Sequence, residues 1–445
     1  MGLFAGLFAH GDAAPQVSDR ALVDAMVEVE VALVQALADL ELAPAEAARE
    51  LADAVASGRL ELDLDELGRG TGEQGTPIPA LLKALRGQLS DTAAAHLHKG
   101  ATSQDVIDTA IMLVTRRALD ATLGDLSGAA DACASLVERH RDAIVPGRTL
   151  LQQALPVTFG LKAAHWLSGL DGALADLRAV RETELAVQFG GAVGTLANLG
   201  ERGLEVAARL AERLELNAPS LPWHTIRVRP VRVATALGAT LGLLGKIGRD
   251  VVLLAQSEVA EVAEGGGDGR GGSSTMPHKR NPVGGIALIA CAQRGPGLVA
   301  TMLAAMVQEH ERGAGAWQAE WDTLLELLRL TGSSAAIARE LLAGLKVDPE
   351  KMRSDMDLTG GLVMSESVAA ALATSMGRSD AQALVEKAAR RSVESGREFR
   401  DVLLELPEVA DGLGEDGLDR ALDPAGYLGV SAELIDRALA GHRGG

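Results

Sequence analysis

Five stretches of this chain, each roughly 25–35 residues long, read as nearly continuous helix, against a mean globular helix of about 11–12 residues. They run from Gln104 to Arg139, Val157 to Gln188, Val231 to Ala263, Val283 to Glu309 and Ala316 to Leu345. Helices of that length with apolar residues on every side must pack in a bundle. Their apolar surface is more than one chain can cover, so association of copies is the natural outcome. A monomeric bundle with Ala-rich internal packing is the alternative. Aromatic residues make up only 2%, with one Tyr, Tyr427. Strands favour aromatic and β-branched residues, so the expected class is all-α with very little sheet.

Shorter elements flank the long ones. Leu22, Met26, Val29, Leu33, Leu37 and Leu40 recur at spacings of three and four, which predicts a helix over Arg20 to Leu40 with Ser18 as its N-cap. A second helix is expected near Pro44 to Ala56, stopped at Gly58. Leu67 to Ile78, rich in Gly and Thr, reads as loop. Asp348-Pro349 marks a junction, followed by helical segments at Leu362 to Met376, Ala381 to Ser395 and Pro424 to Ala440. The expected division is an N-terminal helical domain (1–102), a central long-helix bundle (103–345) and a small C-terminal helical domain (346–445).

Charge narrows the function. There are 42 Lys+Arg against 61 Asp+Glu, a formal net charge of −19. Nucleic acid and anionic membranes need a basic surface, so neither is an expected partner. The most apolar long stretch, Val233 to Val262, is interrupted by Lys246, Arg249 and Asp250, which argues for a buried helix and not a bilayer span. The N-terminus lacks the basic region of a signal peptide. Two Cys, Cys133 and Cys291, exclude a disulfide framework and fit a reducing cytoplasm. The nine His show no metal-ligand spacing, and no metal or cofactor is expected.

The most informative segment is Gly271 to Val283, GGSSTMPHKRNPV, preceded by a Gly-rich run. A Gly run alone is the mark of a flexible linker. Here it leads into two serines, then His278, Lys279 and Arg280, at the start of an expected helix. That arrangement suits a mobile lid presenting hydroxyls and cations to an anion at a helix N-terminus.

The segment resembles the fumarase/aspartase superfamily signature, G-S-S-x-M-P-x-K-x-N-P. Gly272, Ser273, Ser274, Met276, Pro277, Lys279, Asn281 and Pro282 match all eight fixed positions in eleven. His98 to Asp108, HKGATSQDVID, is similar to the family's H-x-G-x-T-S-x-D stretch, and Arg148 to Gly160 to a third. Alone, His98 would be as well explained as a cap or core histidine. The resemblance implies an all-α homotetramer built on a shared core of long helices, with each active site drawn from three subunits. It implies Ser273, Lys279 and His98 as catalytic residues. Thr102, Ser103, Thr149, Gln153, Ser274, Met276 and Asn281 are the implied substrate contacts. Arg227, in a cluster with Arg229 and Arg232, is a further candidate; the alternative for that cluster is solvated surface or ion pairs between subunits.

Many superfamily members carry a histidine–glutamate pair where this chain has Leu150 and Ile286. Two aliphatic residues leave neither half of the pair buried alone, and Leu150 is expected to be buried. The bacterial 3-carboxy-cis,cis-muconate cycloisomerases lack that histidine, and QFGGAVGTLANLG, LPWHTIR and QEHERGAGAWQAEW resemble them too. Lys99, Gln153 and Pro230 depart from the branch. The resemblance implies a small tricarboxylate substrate closed to a lactone by its own carboxylate. Another superfamily lyase, performing β-elimination on a succinate- or aspartate-like substrate, is the alternative; a catalytically silent oligomer is the second.

Overall fold

A computed structural model describes residues 3–265, 271–272, 275–276 and 278–444. The chain is 70% helix and 5% strand. Five long helices dominate: Ser103–Arg139, Phe159–Thr183, Val228–Leu254, Val283–Ala304 and Ala316–Gly344. Each lies largely within one of the long periodic stretches.

Their ends differ from the periodicity for local reasons. The second starts late because Gln152–Thr158 is a strand, paired antiparallel with Ile144–Thr149. Pro156, opposite Pro146, disfavours helix in the residue before it. Thr158 Oγ1 then accepts the Leu161 N–H at 3.1 Å and opens the helix. The third stops at Leu254, and the chain turns into the short strand Val262–Ala263, paired with Lys346–Val347. Pro230 falls in the first turn of Val228–Leu254, where its missing N–H has no intrahelical partner to lose.

The expected loop at 67–78 is largely helix, Leu64–Gln74. Asp63 caps it, its carboxylate accepting the Asp65 N–H at 2.8 Å and the Glu66 N–H at 3.3 Å. A Cβ on Gly70 would lie 2.6 Å from the Ala80 Cβ, so glycine permits a close helix crossing here and does not mark a break. By contrast, Asp19–Asp39 forms as its spacing predicts, with Ser18 accepting the Ala21 N–H.

The residues cluster into two compact units. The first comprises Met1–Leu126, Ala173–Lys246 and Ala287–Ala338; the second comprises Ser127–Gly172, Ile247–Ile286 and Arg339–Gly445. Leu33, Leu37, Leu81, Leu85, Met112 and Leu113 belong to the buried core of the first. Val368, Leu372, Phe399, Val402 and Leu418 belong to a core cluster of the second. Among the described residues, one helix, Val283–Ala304, is long and apolar enough to cross a membrane. Only 28% of its most apolar stretch is buried within the chain.

Candidate active site

In the first unit the HKGATSQDVID segment makes a tight entry into the Ser103–Arg139 helix. His98 adopts φ +62° and Gly100 φ +84°. Left-handed backbone is costly for a residue with a Cβ, and here a buried carboxylate holds it. Glu30, fully buried, accepts the His98 N–H at 2.9 Å and the His98 Nδ1–H at 2.7 Å. The proton therefore sits on Nδ1, and Nε2 is left for chemistry.

Thr102 precedes the helix, and its N–H donates to Asp105 Oδ2 at 3.0 Å. Asp105 is buried and takes three further donors. Gly191 N–H reaches Oδ2 at 2.8 Å; Gly190 N–H and His224 Nε2 reach Oδ1 at 3.0 and 2.7 Å. One turn along, Asp108 receives Arg227 through both terminal nitrogens, at 2.7 and 3.0 Å, and Trp317 Nε1 at 2.9 Å. Gln104 and Gln188 donate to the same carboxylate.

Arg227 is also held by Glu320, with its closest contact at 2.6 Å, and stacks 4.7 Å from the Trp223 ring. Burial acts to lower the Arg227 pKa, but Asp108 and Glu320 outweigh it and raise it. Burial raises the Glu320 carboxyl against the pull of Arg227, and the nearby negative charge of Asp108 adds to the rise. Within the chain the Arg227 guanidinium, expected as a substrate contact, is 3% exposed and doubly paired with Asp108 and Glu320. Its two neighbours are also committed: Arg229 and Arg232 both pair with Glu184.

In the second unit the strands 144–149 and 152–158 form a hairpin whose turn is Leu150-Leu151, at φ +50° and +65°. Leu150 is 96% exposed and Leu151 72%. The expected burial of Leu150 does not occur within the chain, because a two-residue turn projects both side chains from the hairpin tip. Ile286 is also half exposed, at 46%. Thr149 is exposed on the same tip, while Gln153 turns inward and donates to the Asp355 carbonyl at 3.0 Å. Arg148 anchors the hairpin through a two-pronged pair with buried Glu261, at 2.6 and 2.9 Å.

The signature segment also lies in this unit. Ser273, Ser274 and Pro277 fall outside the described residues. Lys279, Met276 and His278 are exposed. Asn281 closes the segment on itself: its N–H and its Nδ2 both donate to the Gly271 carbonyl, at 2.8 and 3.1 Å. The N-terminus of Val283–Ala304 was expected to face an anionic ligand. Its Gly284 and Gly285 N–H groups are instead occupied by Glu264, at 2.9 and 2.8 Å, a carboxylate of the chain itself.

Sequence reasoning named His98, Thr102 and Ser103 but missed the residues that hold them. Asp105 and Asp108 lie within HKGATSQDVID and His224 within LPWHTIR, where spacing alone gives them no role. Glu30 carried a signal that went unused: it stands among Met26, Val29 and Leu33 on the apolar face of its helix, where a lone carboxylate needs a partner.

The lyase family matches residues 13–297, and the adenylosuccinate lyase C-terminus family matches residues 361–438. A 3-carboxy-cis,cis-muconate cycloisomerase of Pseudomonas aeruginosa is 52% identical over 81% of this chain and 80% of its own. A nitrosuccinate lyase of Streptomyces davaonensis is 43% identical over 96% of this chain and 91% of its own. The crystal structure of the 3-carboxy-cis,cis-muconate lactonizing enzyme from Pseudomonas putida superposes with a TM-score of 0.92 at 41% identity, covering 99% of both chains.

Proposed function

The chain belongs to the lyase family, and from that premise we propose that it is an intramolecular lyase that closes 3-carboxy-cis,cis-muconate to 4-carboxymuconolactone. The observation that carries this reading is the likeness to cycloisomerases, over 81% of the chain in sequence and 99% in backbone. The aliphatic pair Leu150 and Ile286 supports it, since neither residue can transfer a proton.

In this reaction one substrate carboxylate attacks the carbon β to another. The C–O bond forms, the alkene electron pair moves onto the second carboxylate as an aci-carboxylate, and a proton adds at the α carbon. The nucleophile is tethered, so the protein supplies charge stabilisation and a proton. Lys279, an exposed cation, is assigned to the aci-carboxylate, and Ser273 to the proton. Thr102 and Ser103, at a helix N-terminus, offer hydroxyls to a carboxylate. His98, with Nδ1 held by Glu30, turns Nε2 to the substrate.

We assign the working form to a homotetramer in which three copies contribute to each site, set in the cytoplasm. Two features support self-association. The helix Val283–Ala304 is apolar and largely unburied within the chain, and Leu150 and Leu151 project from the hairpin tip. Mixing pure protein with 3-carboxy-cis,cis-muconate tests the activity: the conjugated-diene absorbance should fall with enzyme-dependent kinetics. The likeness to nitrosuccinate lyase favours one second reading, β-elimination. Nitrosuccinate should then yield an alkene while the muconate spectrum stays unchanged.

A further inference from the structure

We infer that Asp105 is the positioning residue of the carboxylate-binding turn, and that His224 is the side-chain donor that holds it there. Three segments far apart in sequence converge on this one carboxylate: the Thr102 turn, the Gly190-Gly191 pair and His224. An ordinary helix entry explains only one of the four bonds, the reciprocal one in which Thr102 N–H donates to the third helical residue. The remaining three bind the turn to the rest of the unit.

The glycines are there for the approach. A Cβ on Gly190 would lie 2.8 Å from His224 Cε1. A Cβ on Gly191, which has φ +69°, would lie 3.0 Å from the Gly100 carbonyl. Both backbone amides can reach Asp105 only because neither residue has a side chain. Since an ionised carboxylate only accepts, His224 carries its proton on Nε2. Asp105 is thus buried with four donors and no spare lone-pair direction, which fixes Thr102 and Ser103 against the Gly190-Gly191 segment.

This inference rests on the proposed reading of Thr102 and Ser103 as carboxylate ligands. Hydroxyls that hold a non-reacting carboxylate act alike in the ground and transition states, so loosening them raises KM and spares kcat. Asp105→Asn keeps the volume but sets an NH2 against two N–H donors in either orientation. Its KM should rise roughly 10–100-fold, the size of a lost charged hydrogen bond, with kcat within about threefold. His224→Leu should follow it. His224→Gln, which keeps a donor, should fall between His224→Leu and wild type. Circular dichroism and sedimentation should match wild type. An unchanged KM with a reduced active fraction would make Asp105 a residue of the fold alone and overturn the inference. Should Asp105→Asn fail to fold, the two His224 variants decide: equal KM values for both overturn it. A wild type that leaves the diene untouched sinks the activity reading instead. Calorimetric titration with tricarballylate, an inert tricarboxylate, then decides the inference. Binding weakened at least tenfold in Asp105→Asn upholds it; equal binding, or none to wild type, overturns it.

Discussion

His98 Nδ1 lies 2.7 Å from a carboxylate oxygen of fully buried Glu30, and the second oxygen of that carboxylate accepts the His98 backbone N–H at 2.9 Å. One carboxylate thus sets the ring tautomer and clamps a residue at φ +62°. The pair makes a particular substitution informative. Asn tolerates left-handed backbone, and its Nδ2 can stand in for the ring Nδ1. His98→Asn should therefore fold and assemble as wild type while losing whatever Nε2 does. His98→Ala keeps the backbone N–H but leaves the other oxygen of Glu30 buried without its ring partner, a loss of about 1–3 kcal/mol. Thermal unfolding should rank the stabilities wild type, then Asn, then Ala. An Ala variant as stable as the Asn variant would refute the clamp.

Lys279 is proposed to stabilise the aci-carboxylate. Removing one preorganised donor typically costs about 10²–10³ in kcat, and Lys279→Ala should lose at least that much as a folded oligomer. Ser273→Ala should lower kcat more than it raises KM. The decisive comparison is with His98→Asn. If that variant is dead while Ser273→Ala keeps near-native turnover, the proton belongs to the histidine.

Leu150 is 96% exposed within the chain, so its truncation removes almost no burial from the folded protomer. Any penalty must come from contact with another copy. Leu150→Ala is expected to weaken assembly or lower the melting temperature in a concentration-dependent way. Sedimentation of wild type should give roughly four times the 46.0 kDa chain. A wild type that runs as a monomer refutes the assembly, and with it the shared site.

Cys133 is fully buried, and burial, with Asp171 nearby, pushes its thiol up to about 12. Burial raises Cys291 as well. The thiolate is the reactive form, so neither residue should react with iodoacetamide at pH 8 in the native protein. Two equivalents should react on unfolding. Fast native labelling at either site would contradict the burial.

The long helices were legible because periodicity is local. The spacing of apolar residues over a few turns is enough to specify a helix, and the five long stretches each hold one. The signature at 271–283 and the HKGATSQDVID segment were legible for the same reason, each being contiguous. Leu64–Gln74 is not legible locally because glycine normally signals a break, whereas Gly70 serves a crossing against Ala80 that no local pattern records.

What the linear chain determined, then, is its helical class and the segments from which a site is built. The tertiary structure decided which charges are free. Arg227 reads in the sequence as a candidate substrate cation, and the packing sets against it Asp108, 119 residues away, and Glu320, 93 residues away. The N-terminus of Val283–Ala304 resembled an anion site until Glu264 was found in it. A buried charge must be paired, and its partner is whichever group the packing brings within about 3 Å. That is a property of three-dimensional proximity, with no counterpart in spacing along the chain.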